Sequence, residues 1–119
     1  MDCQLPNITE NSFLDGKLSI FQPKKGFRAG LDSVLLAASV KAQSGEKVLE
    51  IGAGVGTVLF CLMNRISGLE ATGIEIMEEY HALSLINAKR NKINANFILG
   101  DFFTYEILKK KIFIEFKKN

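Results

Sequence analysis

Hydrophobic and polar positions alternate along residues 12 to 21, SFLDGKLSIF, on either side of Asp15-Gly16. That pattern predicts a β-hairpin, because glycine enters the positive φ of a tight turn without strain. QPKKGFRAGLD then shows no period and reads as a loop. SVLLAASV, from Ser33 to Val40, is apolar almost all round and predicts a buried helix, with Asp32 placed to cap its amides. After a turn at Ser44-Gly45, KVLEI reads as a strand, and TVLFCLMNRI beyond Gly56 reads as a helix that Gly68 ends. EATGIEI supplies a second strand. MEEYHALSLINAKRN predicts an amphipathic helix, with Glu78 and Glu79 in its first turn and Lys89 and Arg90 in its last, matching the helix dipole. NFILGD reads as a third strand, and KIFIEF, which sets Ile112, Ile114 and Phe116 on one face, as a fourth.

Strands alternating with helices of this length indicate βαβ units and a parallel sheet. No repeat, low-complexity stretch or interdomain linker interrupts them. The expectation is a single α/β domain over residues 1–119, with a hairpin and covering loop at 12–32 and a tail at 103–119 whose composition differs from the rest. Composition adds little to this picture. The chain is 47% hydrophobic and 24% charged with a net charge of +2, so charge alone indicates neither a nucleic acid nor a membrane partner. No stretch approaches the roughly 20 apolar residues that span a bilayer, and the start, MDCQLPNITENSF, lacks the pattern of a signal peptide. A cytoplasmic location is expected, with Cys3 and Cys61 as free thiols.

The chemistry concentrates at predicted strand ends. In an open parallel sheet, ligands bind outside the carboxyl ends of the strands. Glu50 with Gly52, Gly54 and Gly56, then Glu75, then Asp101 all fall there. The glycines suggest a dinucleotide loop, but in GAGVGT the third glycine comes one residue early and Thr57 takes its place. Glu50 would repel a pyrophosphate and attract an ammonium or sulfonium, which favours a cationic cofactor without phosphate. Glu75 stands at a suitable distance to accept both hydroxyls of a ribose, a role common to nicotinamide and S-adenosylmethionine sites. Asp101 could accept a hydrogen bond from an adenine amine, or cap a helix or turn. His81 reads as a solvated surface residue, Tyr80 as core, and Phe102 as either core or a packing surface for adenine. No spacing of His, Cys or acids suggests a metal.

E-x-G-x-G-x-G with an acid one strand later resembles the class I S-adenosylmethionine-dependent methyltransferase pattern. FLDGKLSIFQPKKGFRAGLDSVLLAA is similar to a narrower group, the bacterial tRNA (valine) adenine methyltransferases within the methyltransferase small-domain proteins. The likeness runs from about Phe13 to Asp101 and includes EEYHALSLINAKRN. It implies a Rossmann-like methyltransferase fold, S-adenosyl-L-methionine as cofactor, and the exocyclic amine of a tRNA adenine as acceptor. It further implies that Gln22, Lys24, Arg28 and Asp32 line the methionine end of the cofactor, with Gly30 allowing the close turn between them. Taken without the resemblance, Lys24, Lys25 and Arg28 are as readily a solvated basic loop, although the Arg28 fork suits a carboxylate.

The group it resembles carries Asn-Pro-Pro and an aromatic residue after the fourth strand, to grip the amine and stack on the base. This chain has prolines only at Pro6 and Pro23. Residues 109 to 119 are drawn only from Lys, Ile, Phe, Glu and Asn, as an out-of-frame or decayed reading would produce, so the expectation is the N-terminal half of such a domain, truncated before its acceptor motif, ahead of the alternatives of a naturally short form or a basic tail that touches RNA phosphates. Three functions follow: a methyltransferase completed by a second chain or by self-association through an exposed sheet edge, a cofactor-binding remnant without catalytic residues, or a nicotinamide-binding module.

Overall fold

The computed structural model describes residues 7–26 and 28–101 and the backbone of 111–115. The elements run β1 (Ile8–Phe13), β2 (Leu18–Pro23), α1 (Leu31–Ser39), β3 (Lys47–Ile51), α2 (Thr57–Arg65), β4 (Glu70–Glu75), α3 (Glu78–Asn91), β5 (Asn96–Leu99) and β6 (Lys111–Glu115). β1 and β2 form an antiparallel hairpin, and the other strands form a parallel sheet in the order β5-β4-β3-β6. The chain therefore builds outward from β3 through β4 to β5, then returns to the opposite side of β3. That reversal is a topological switch point, and it opens the crevice at the carboxyl end of β3.

The strands of the central sheet lie where the sequence pattern places them, and in β3 and β4 successive residues are buried on both faces, as in a strand covered on both sides. The hairpin is longer than its alternating segment: β1 pairs from Ile8 with Pro23 to Phe13 with Leu18. In β1 the residues are half-buried or exposed, so ITENSF carries no hydrophobic alternation to read. The turn is the one expected from Asp15-Gly16, with positive φ at both residues and the Lys17 amide donating to the Leu14 carbonyl.

Three expectations about the helices are corrected. α1 begins at Leu31 behind Gly30, with no side-chain cap, and Asp32 lies inside its first turn. Nor is α1 buried all round: Ser33 and Ala37 are buried, whereas Leu31 and Leu35 are 70% and 57% exposed. α1 rests on α2 along a narrow stripe of small residues, so an apolar sequence here does not mean an enclosed helix. Arg65 of α2 secures its end by donating to the Ala37 and Val40 carbonyls at 3.0 and 2.6 Å. α2 itself stops where Ile66 turns extended, and Gly68 belongs to the following turn, where a Cβ would strike the Ser44 side chain.

The core lies between the sheet, α2 and β2, with Val48, Leu59, Phe60, Leu62, Leu83 and Phe97 buried. Phe60 and Phe97 meet edge to face with centroids 5.5 Å apart. Among the described residues no helix is long and apolar enough to cross a membrane.

α3 holds the hairpin by a device that hydrophobic patterning does not show. Asn87 accepts from the Phe21 amide at 2.7 Å and donates to the Phe21 carbonyl at 2.9 Å. Asn91 does the same for Ser19, both at 2.8 Å. Four residues along a helix advance about 6 Å and two along a strand about 6.7 Å, so an Asn-x-x-x-Asn face can read alternate residues of a strand edge. The outer edge of β2 is thus paired by side chains where another strand would otherwise be needed. Asn87 also donates to the Val55 carbonyl at 3.0 Å, which joins the hairpin to the glycine loop.

Candidate functional site

β3 ends in the loop Gly52 to Gly56, and its backbone is already engaged. The amides of Gly52 and Ala53 both donate to the Ile74 carbonyl, that of Gly54 to Glu75 Oε1 at 2.7 Å, and that of Gly56 to the Ala53 carbonyl. A pyrophosphate cradle needs such amides aimed outward at the ligand. Here four of them serve the fold. The loop remains shaped for close approach, because a Cβ built at Gly52 or Gly54 would meet nothing within 4 Å. Gly56 differs. It stands at the N-terminus of α2 with φ +97°, and a Cβ there would lie 2.6 Å from the Phe60 ring and 2.9 Å from that of Phe97. Gly56 therefore permits helix–sheet packing, which spacing alone does not distinguish from ligand contact.

Gly73, opposite Glu50 in the β3–β4 register, packs as closely, with its would-be Cβ 2.6 Å from that of Ala53. Gly73→Ala is expected to cost about 1–3 kcal/mol of unfolding free energy through overpacking beneath the loop. Urea titration of the variant checks this, and a midpoint equal to that of the unaltered chain would show the loop to be looser than drawn.

Glu50 and Glu75 are both buried, and their partners differ. Glu75 is held at the end of β4, Oε1 by Gly54 and Oε2 by the Met77 amide at 2.8 Å. Each carboxylate oxygen keeps a second lone pair, so this orientation leaves capacity for hydroxyl donors. Glu50, only 1% exposed, has Oε1 without any hydrogen-bond partner among the described residues, and buried Thr57 Oγ1 shares that state. Both residues line a cavity of about 20 Å³ together with Ala29, Ser33, Gly52 and Val58. That volume admits roughly one water molecule. Burial pushes the Glu50 carboxyl well above the usual carboxylate range, and the neighbouring charge of Glu75 adds to the effect. An unpaired buried acid of this kind is stabilised by a cation brought to it.

The covering loop reaches the same cavity through Ala29, and α1 through Ser33. Gln22 is buried, and its Oε1 accepts from the Ala29 amide at 2.8 Å. Arg28 turns to the hairpin, donating from Nη1 to Thr9 Oγ1 and the Pro23 carbonyl and from Nη2 to Asn11 Oδ1. Lys24, Asp32 and Asp101 are exposed. The structure thus brings Glu50, Glu75, Gly52 and Gly54 together at the crevice, with Gln22 and Arg28 behind the loop that walls it. His81, expected on the surface, is half-buried, with Nε2 3.1 Å from the Phe97 carbonyl, so it braces β5. Tyr80 packs against the core, half-buried. Cys61 is buried and unbridged, and burial first, then the charge of Glu50, pushes its thiol up to about 11, which leaves it protonated and unreactive at neutral pH. Cys3, Phe102 and the side chains of Ile112, Ile114 and Phe116 lie outside the described residues. Among the described residues no group of His, Cys and acids could hold a metal ion. Thr57, which lines the cavity, was visible in the sequence only as the departure from the dinucleotide fingerprint, and the contacts of Asn11 and Asn87 had no signal there.

The parallel sheet with its switch at β3, the glycine loop and the acid ending the second strand of the sheet define a Rossmann-like class I methyltransferase fold. The chain superposes on the Pyrococcus abyssi tRNA (uracil-54, C5)-methyltransferase in complex with S-adenosyl-L-homocysteine with a TM-score of 0.63, at 23% identity, over 80% of this chain and 24% of that one. A methyltransferase from Geobacter sulfurreducens, also in complex with S-adenosyl-L-homocysteine, gives 0.54 at 26% identity, over 62% and 30% of the two chains. In sequence the chain is 32% identical over 89 residues to a 23S rRNA (uracil(747)-C(5))-methyltransferase of Pyrococcus abyssi, covering 73% of this chain and 21% of that protein. It spans about a fifth of that relative's length. No protein-family model matches it.

Proposed function

We propose that this chain is the cofactor-binding portion of an S-adenosyl-L-methionine-dependent RNA methyltransferase. The observation that carries the reading is the buried Glu50 carboxyl, whose Oε1 has no partner among the described residues, facing a cavity beside a glycine loop in which four of the five amides are already taken. That arrangement suits a cationic ligand and disfavours a diphosphate. Glu50 and Thr57 would receive the charged methionine end, Gly52 and Gly54 would let the nucleoside lie against the backbone, and Glu75 would accept the ribose hydroxyls. When bound, the cofactor supplies an electrophilic methyl group on a sulfonium sulfur. Asp101, exposed just beyond β5, suits the adenine amine.

The acceptor is a base, and two identities have support. Resemblance in FLDGKLSIFQPKKGFRAGLDSVLLAA favours the exocyclic amine of adenine in tRNA, whereas likeness to the rRNA relative favours C5 of uracil. No Asn-Pro-Pro motif occurs in this sequence, and acceptor groups would be supplied from outside it, for instance by a complementing chain seated along β6, the edge strand of the sheet among the described residues. Without one, the chain is a cofactor-binding subunit. A cytoplasmic site of action accords with tRNA or rRNA as substrate.

At a hundredfold excess over its dissociation constant, S-adenosyl-L-homocysteine is expected to stabilise the chain by about 2.7 kcal/mol, a rise of about 10 °C in melting temperature. NAD is expected to leave the melting temperature unchanged. Stabilisation by NAD alone would make the chain a nicotinamide module. Labelled cofactor with total tRNA and rRNA, followed by nucleoside separation, distinguishes methylated adenosine from 5-methyluridine.

A further inference from the structure

Arg28 has the chemistry of a carboxylate ligand, yet its described contacts all run the other way. Its terminal nitrogens reach Thr9 Oγ1 at 3.0 Å, Asn11 Oδ1 at 3.1 Å and the Pro23 carbonyl. Asn11 Oδ1 is the centre of this cluster. It also accepts from Gln22 Nε2 at 3.0 Å and from the Thr9 hydroxyl at 2.8 Å. Gln22, fixed in this way, offers Oε1 to the Ala29 amide, and Ala29 lines the cavity that holds Glu50 and Thr57. An unbroken chain of hydrogen bonds therefore runs from the hairpin to the cofactor wall. One guanidinium nitrogen, an amide and a hydroxyl converging on one oxygen define a direction that a single flexible contact would not.

We propose that Asn11, Gln22 and Arg28 are positioning residues that lock the covering loop to the hairpin and so set the wall opposite Glu50, and that Arg28 acts through Asn11 and not through the cofactor's carboxylate. This rests on the cofactor reading above. Losing either end of the chain of bonds loses the same wall, so Arg28 and Asn11 act as a unit. A direct ligand of the cofactor would instead contribute independently of Asn11.

The test is a double-mutant cycle read by calorimetric titration with S-adenosyl-L-homocysteine, on chains shown by circular dichroism to be folded. Asn11→Ala and Arg28→Ala are each expected to weaken binding about tenfold, and the double variant to bind within about threefold of the weaker single one. Asn11→Asp keeps the accepting oxygen and gives Arg28 a charged partner, so it is expected to restore affinity to within about threefold of the unaltered chain. Losses that multiply to about a hundredfold would make Arg28 a direct ligand and overturn the proposal. So would an Asn11→Asp chain as weak as Asn11→Ala, since the accepting oxygen would then not matter. Failure of the unaltered chain to bind is a separate result, which overturns the cofactor reading and this proposal with it. If Arg28→Ala does not fold, Arg28→Lys replaces it in the cycle, because a lysine cannot span the three acceptors.

Discussion

Asn87→Ala is expected to lower the unfolding free energy by about 3–5 kcal/mol, enough to leave much of the chain unfolded near 37 °C. Three backbone groups lose their partner at once: the amide and carbonyl of Phe21 and the carbonyl of Val55. Asn87 is fully buried, so water does not simply replace the missing amide, and each buried group left unsatisfied costs about 1–3 kcal/mol. A small domain has about 5–15 kcal/mol in all. Asn87→Asp discriminates the cause. It retains the acceptor facing the Phe21 amide but sets a second oxygen against the Phe21 and Val55 carbonyls, so it is expected to be no better than alanine despite its nearly equal volume. Asn91→Ala is expected to cost less, because Asn91 is only half-buried and water reaches the freed Ser19 groups. Urea unfolding with unchanged slope, and faster hydrogen exchange at the Phe21 amide, are the measurements. A midpoint for Asn87→Ala within the error of the unaltered chain would mean that the hairpin docks through its apolar residues alone.

This contact also shows where the sequence was silent. Leu18, Ile20 and the central strands carry period and composition, so the hairpin, the βαβ order and the placement of KVLEI and EATGIE at the crevice could be read from residue pattern. The glycine loop and its two acids could be read as well, because their chemistry is unusual at any strand end. Asn87 and Asn91 could not, since an asparagine facing a strand edge and one facing water look alike until both elements are placed. α1 failed for the converse reason: Leu31 and Leu35 are apolar, but burial needs a surface on the other side, and pattern does not report that surface. Gly56 and Gly52 are indistinguishable by spacing, and only the rings of Phe60 and Phe97 separate packing from ligand approach. Arg28 poses the same kind of problem in a charged residue: its fork suits a carboxylate, and the fold also gives it acceptors on the hairpin at Thr9, Asn11 and Pro23, which no pattern in the sequence reports.

The second large effect belongs to Glu50→Gln, and it has opposite signs with and without cofactor. In the ligand-free chain the folded state holds the Glu50 proton more tightly than the unfolded state does, since burial raises the carboxyl well above its ordinary value of 4.5. The folded chain thus binds more protons than the unfolded chain from about that value upward, and stability must fall as pH rises through this window until the raised folded value is passed. Glu50→Gln removes the titration. The variant is expected to be more stable than the unaltered chain at pH 8 by about 1–3 kcal/mol, with the gap closing toward pH 5, as melting temperatures across that range would show. Binding reverses the order. A cationic ligand stabilises the ionised carboxylate, so association releases a proton and affinity for S-adenosyl-L-homocysteine, whose amino group is cationic, is expected to rise with pH. Glu50→Gln should lose at least tenfold in affinity at neutral pH, or about 1.4 kcal/mol, and flatten that pH dependence. A glutamine variant that binds as tightly as the unaltered chain, with the same slope against pH, would show that Glu50 is buried for the sake of the fold and that the cofactor's charge is met elsewhere. A variant that is both more stable and unable to bind would mean that the energetic cost of the unpaired acid is retained for the ligand it receives.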